Sequence, residues 1–363
     1  MRLPLHLDFN NHLQISSIEE NIDVRDQNTK KVINTRPRFS DCSVSAKQSN
    51  MPDAKIIFHG SDQTQLVGTL STTWTNSTGN TGPSNKNSYP AHCILLLHGG
   101  MGHRDYLYHK VLTRKILASM GSHVAVFRFD YNGNGDSHGH RFFLSSFWDD
   151  VADIWCAIRF LQQSPYRMRT VCVVGHSVGA QHVLQLPISC MLSSNGNNPD
   201  ESGDKNFGSL DELPPLLVCV QPRFRLRYWY EEWERQCQQH GQWQMKWRSR
   251  GRPRSHIITK HDVTEYCKVR MDNVRHFNDP CFTGNIDVLT IHGLSRSNRN
   301  SAATVMGYGS DVETTIDGVV PVEDSVQVAN RVGCDRHTLK IVRCISVFRR
   351  FCAPPSSHLN RVE

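Results

Sequence analysis

The stretch VCVVGHSVGAQHV, Val171 to Val183, sets Ser177 between Gly175 and Gly179 directly after a run of small apolar residues. Gly175-His176-Ser177-Val178-Gly179 has the G-x-S-x-G spacing of a nucleophile elbow, in which a strand turns sharply into a helix and holds a serine exposed. Glycines are needed because Cβ atoms would collide in so tight a turn. The helix-compatible AQHVLQL that follows supplies the expected context. The competing reading of the same residues is a glycine-rich strand-to-helix turn without chemistry, of the kind that also binds phosphate. A second element lies upstream in LLLHGGMGH, an apolar run ending in His98-Gly99-Gly100. Beside an elbow of this type, the loop after that strand gives one backbone N–H to an oxyanion hole and the residue after the serine gives the other. Those donors are Gly100 and Val178. His98 itself is expected to satisfy a loop hydrogen bond rather than to act on substrate.

These residues need a scaffold, and the chain supplies a rhythm for one. KIIFHGSDQTQLVGTL reads as a hairpin turning at Gly60, Ser61 and Asp62, edging a sheet. Short apolar runs then alternate with helical lengths: CILLLHGG, YHKVLTRKILASM, HVAVFRF and FWDDVADIWCAIRFLQQ, the last with Val151, Ile154, Ile158 and Leu161 near one face. Such alternation implies a mostly parallel sheet with helices on both faces. TVCVVGHS is apolar throughout and therefore central, and further strands are expected at PLLVCVQ, IDVLTIHG and HTLKIV. Residues 1–53 lack a sustained period and read as a disordered extension. Polar loops are expected before Leu216 and over the insertion 294–316.

HGGMGHRD, VFRFDYNGNGDSHG and VVGHSVGA, in this order and spacing, resemble the α/β-hydrolase superfamily, closest to its serine aminopeptidase-like and esterase branch. The resemblance spans residues 54–342 and implies an α/β-hydrolase fold with a cap insertion, here 222–284. It also implies that RFDYNGNGDSHG shapes a pocket wall beside the oxyanion hole; read from the residues themselves, Gly133 and Gly135 permit tight turns and Asp130 and Asp136 can tie backbone N–H groups. The family order is serine, acid, histidine. The acid it implies is Asp317, placed before V-V-P in IDGVVPVEDSVQVANRV, with Asp311 and Asp324 as weaker competitors. Asp324 is expected on a helix with its carboxylate towards water.

The base is harder to place. The resemblance expects a histidine in a turn soon after the last strand, but RCISVFRRFCAPPSSHLNRVE holds none before His358, and His337 begins the strand instead of following it. Three readings are open for the atypical tail 343–363. His358 reaches the site by another path, the tail reflects a truncated or mis-joined reading frame, or the fold has lost catalysis and serves as a binding protein. The abrupt change after Val342 favours the second, and His358 stands as the candidate base.

PRFRLRYWYEEWERQCQQHGQWQMKWRSRGRPR interleaves four tryptophans with eight arginines and one lysine. Stacking rings among cations suit single-stranded nucleic acid, but the placement suits a cap, and the i, i+4 spacing of Trp229 with Trp233 and of Trp243 with Trp247 predicts amphipathic cap helices. No nucleic acid is therefore expected. A second cap helix is expected to place Val263, Tyr266, Val269 and Val274 near one side. His138 and His140 lack a nearby third ligand, so no metal is implied, and no cofactor. The twelve cysteines are scattered without CxxC pairs, and no apolar window of membrane length occurs, which predicts a soluble cytoplasmic protein. The expectation is a serine hydrolase acting on a small carboxylic ester, with an aminopeptidase or thioesterase of the same fold as the alternative. Oligomeric state is left open.

Overall fold

The computed structural model describes residues 53–73, 90–163, 165–194, 207–250, 252–278, 286–295, 322–332 and 337–344. The N-terminal extension, the acid candidate Asp317, its competitor Asp311 and the base candidate His358 lie outside the described residues.

Strands β1 (Asp53–His59) and β2 (Gln65–Ser71) form the expected antiparallel hairpin. Its turn closes where Gly60 N–H donates to the Thr64 carbonyl at 2.9 Å and Thr64 N–H to Asp62 Oδ1 at 2.9 Å. The chain then runs β3 (His92–Leu97), α1 (His109–Met120), β4 (Val124–Asp130), α2 (Phe147–Gln162), β5 (Arg169–His176), α3 (Val178–Ser194) and β6 (Leu216–Val220). A cap follows, made of α4 (Arg227–His240), β7 (Trp243–Ser249), β8 (Arg252–Ile258) and α5 (Lys260–Lys268), before β9 (Asp287–Ser295), α6 (Val322–Val332) and β10 (His337–Cys344) complete the main layer.

The main sheet has the order β1-β2-β4-β3-β5-β6-β9-β10, with β2 antiparallel to β4 and every pairing from β4 to β10 parallel. Parallel strands covered on both faces are buried along their length and read as nearly continuous apolar runs. All seven residues of β4 are accordingly buried, including Arg128 and Asp130, which need partners there. On α2 the predicted stripe Val151, Ile154, Ile158 and Leu161 is buried, and Trp155, fully excluded from water, donates Nε1–H to Ser189 Oγ of α3 at 2.9 Å. Among the described residues, no helix is long and apolar enough to cross a membrane.

Two expectations are corrected. The cap is mixed and not purely helical, because Trp243 and Trp247 lie on β7, paired antiparallel with β8. Met245 and Ser249 turn inward between and beyond them while Gln244, Lys246 and Arg248 face outward. A spacing of four satisfies one helical turn and equally two strand periods. Asp324 does lie on α6, but its carboxylate is buried and paired with Arg225 at 3.1 Å, where α6 also buries Ser325, Val328 and Val332.

Candidate active site

At the C-terminal end of β5 the backbone turns straight into α3, and Ser177 at the turn adopts φ +53°. That left-handed conformation costs a non-glycine residue about 1–2 kcal/mol, so the surroundings must enforce it. They do so through Ser177 N–H, which donates to the Val220 carbonyl of β6 at 2.9 Å, and through the Ser177 carbonyl, which accepts from Ala180 N–H at 3.0 Å. A Cβ on Gly175 would overlap the Gly179 carbonyl, so strand and helix approach this closely only because side chains are absent. Ser177 remains half-buried among fully buried neighbours.

The loop after β3 packs against this turn. A Cβ on Gly99 would come within 3.2 Å of the Ser177 Cβ, and one on Gly100 within 3.2 Å of Val178 Cγ2. Gly102 N–H donates to the Gly99 carbonyl at 3.1 Å, closing the loop on itself. Val178 is the first residue of α3, so its N–H belongs to the set that finds no acceptor within the helix. A small cavity touches Gly99, Gly100, Met101, Phe143 and Val178, with His182 and Asp150 behind them.

His98 makes the expected loop bonds. Its Nδ1–H donates to the Gly99 carbonyl at 2.7 Å, and its Nε2 accepts from Tyr131 N–H at 3.3 Å. Burial pushes its pKa down to about 4, which keeps it neutral. Among the described residues, no histidine nitrogen hydrogen-bonds the Ser177 hydroxyl. His337 lies well away from it. Strand register places His337 level with Val288, Leu217 and Val173, four residues short of Ser177 and three strands across, a separation of about 13 Å along the strands and about 14 Å across them.

The segment RFDYNGNGDSHG forms the neighbouring wall. Asp130 Oδ1 accepts from Arg104 N–H at 2.5 Å, its Oδ2 accepts from Asp136 N–H at 2.9 Å, and the Arg104 guanidinium pairs with both carboxylates. Both aspartates are therefore structural. Gly135, at φ +53°, sits against the Asp130 carboxylate, where any side chain would overlap it. Arg104 was not singled out from the sequence, although a lone arginine after HGGMGH, facing the acids of RFDYNGNGD, was the available signal.

The cap closes over this region through aromatic contacts. Phe143 meets Trp229 edge-on at 5.5 Å and Tyr266 at 6.0 Å, and Trp229 stacks on Trp243 at 5.9 Å. Gln181 of α3 anchors it, accepting from the Tyr266 hydroxyl and donating to the Arg223 carbonyl at 2.8 Å. At the hairpin tip, Arg250 pairs with Asp105 at 3.0 Å and with Asp136 at 2.6 Å.

Solved structures similar to the chain include an esterase from Pyrococcus furiosus, at 13% identity over 87% of this chain and 90% of that one, with a TM-score of 0.46. The α/β hydrolase GrgF from Penicillium is 11% identical over 81% of this chain and 91% of its own, with a TM-score of 0.49. Ferulic acid-bound Est1E from Butyrivibrio proteoclasticus is 14% identical over 79% and 89%, with a TM-score of 0.46. No curated protein sequence matches. Residues 88–190, which run from β3 through the serine turn into α3, match the family of serine aminopeptidases, S33. That match lies across the serine turn and its partner loop, and the mostly parallel sheet in this order has the α/β-hydrolase fold.

Proposed function

We propose that the chain is a cytoplasmic serine hydrolase that cleaves small carboxylic esters, with Ser177 as nucleophile. The observation that carries this is the φ of +53° at Ser177, a strained conformation held by Val220 and by two facing glycines at the edge where the parallel strands end. Strain of this kind persists only where the surroundings enforce it, and it clusters at active sites. In the proposed cycle the Ser177 hydroxyl attacks the ester carbonyl, and its proton passes to a histidine. The resulting oxyanion takes hydrogen bonds from Gly100 and Val178 N–H. The histidine then returns the proton to the departing alcohol, and water releases the acid by the same steps.

Asp317 is the acid in this reading and His358 the candidate base. The segments that carry them follow β9 and β10, whose C-terminal ends leave the sheet at the same edge as Ser177. The deciding experiment is labelling of the full chain by a fluorescent fluorophosphonate, beside its Ser177→Ala variant. Labelling that disappears in the variant supports the hydrolase. A folded chain that does not label is the binding protein that the atypical tail would make of it.

A further inference from the structure

The two donors proposed for the oxyanion come from different elements, Gly100 from the loop after β3 and Val178 from the start of α3. Their spacing needs a device that touches both. Tyr131, immediately beyond β4, does so. Its backbone N–H donates to His98 Nε2 at 3.3 Å, and His98 passes the restraint on through Nδ1–H to the Gly99 carbonyl at 2.7 Å. An imidazole that donates at one nitrogen and accepts at the other is neutral and fixed in one tautomer.

The Tyr131 hydroxyl lies 3.1 Å from Nδ1 of His182 on α3. His182 Nε2 faces Asp150 Oδ2 at 3.9 Å, too far for a hydrogen bond, so the imidazole is tied to its surroundings through Nδ1. The Tyr131 hydroxyl and His182 Nδ1 share a buried hydrogen bond that joins the end of β4 to α3. Tyr131, His98 and His182 are 3%, 1% and 0% exposed. Their rings meet edge-on, at 4.7 Å for His98 and 5.2 Å for His182. All three border the cavity behind Gly100 and Val178.

We infer that Tyr131 is a positioning residue whose main chain holds the Gly99–Gly100 loop through His98 and whose hydroxyl holds α3 through His182, fixing the separation of the Gly100 and Val178 amides. The catalytic consequence rests on the serine-hydrolase reading; the bridge itself does not. Donors aimed at an oxyanion act when charge develops, so a loosened pair lowers kcat and leaves ground-state binding in place.

The test is Y131F, which keeps the ring and the backbone bond and deletes one hydroxyl. For a p-nitrophenyl ester the expected result is a fall in kcat of about tenfold with KM changed by less than about twofold. Hydrogen exchange should quicken together in segments 98–102 and 177–183. H182A should repeat both effects, and H182N, whose side-chain amide can pair with the hydroxyl in either direction, should recover them. Unchanged kcat with unchanged exchange, a rise in KM at constant kcat, or exchange that quickens throughout the fold would overturn the inference. If the native chain takes no fluorophosphonate, the hydrolase reading falls while the exchange measurement still decides the bridge. Coupled loosening then supports it, and loosening of one segment or neither refutes it.

Discussion

Acidification from about pH 7 to about pH 5 should destabilise this domain steeply, through histidines the fold keeps neutral. Burial pushes His98 down to about 4, His109 to about 3 and His182 to about 3. A histidine in the unfolded chain titrates near 6.5. Between roughly pH 6.5 and 4 the unfolded chain therefore binds three protons that the folded chain refuses. Each costs about 1.4 kcal/mol of stability per pH unit of acidification. One buried carboxyl opposes them. Asp153 is raised to about 6 by burial, against the lowering pull of Arg141, so the folded chain gains a proton below pH 6 that the unfolded chain takes up only near 4. The balance below pH 6 is two protons, and because the unfolded histidines are only half protonated at pH 6.5 the loss from there to pH 5 comes to about 4 kcal/mol, a large share of an ordinary domain's stability. Urea unfolding followed by tryptophan fluorescence at stepped pH should give a slope near 3 kcal/mol per unit below pH 6, from the same linkage. His182→Asn should make that slope shallower by about one proton, whatever it does to the absolute stability. A flat profile between pH 7 and 5, or a slope that H182N leaves unchanged, would refute the account of these histidines as buried and neutral.

Gly175→Ala should cost more than about 3 kcal/mol, because its Cβ meets the Gly179 backbone, which cannot yield as a side chain would; a thermal melt within a few degrees of the native chain would contradict the packing of the turn. Ser177→Gly should unfold at higher urea than Ser177→Ala by about 1 kcal/mol, since only glycine relieves the positive φ, and the reverse order would show the turn unstrained. Arg250→Ala, which removes ion pairs to Asp105 and Asp136, should change global stability by less than about 1 kcal/mol. Limited proteolysis within 243–258 should nevertheless accelerate, and equal cleavage rates would mean that the hairpin tip is held by other contacts.

Periodicity over short windows was enough to read the hairpin at Gly60, the apolar β5, the buried stripe of α2 and the two glycines around Ser177, because each is fixed by neighbours within a few residues. The same logic failed at Trp243 and Trp247. Their spacing fits a helix and a strand alike, and the alternation WQMKWRS was the better guide, as inward Met245 and outward Lys246 make plain. Asp324 was misjudged because its environment depends on Arg225, which lies on a distant segment.

The sequence by itself determined that a serine would stand at a strand-to-helix turn facing a double-glycine loop, since local sterics allow few residue types there. Only the tertiary structure decided what surrounds it. Arg104 on Asp130, Arg250 clasping the cap, and Tyr131 between His98 and His182 join residues far apart in the chain. At Arg104 and Tyr131 burial removes water as the alternative partner, and all of these pairings depend on which elements the sheet brings side by side.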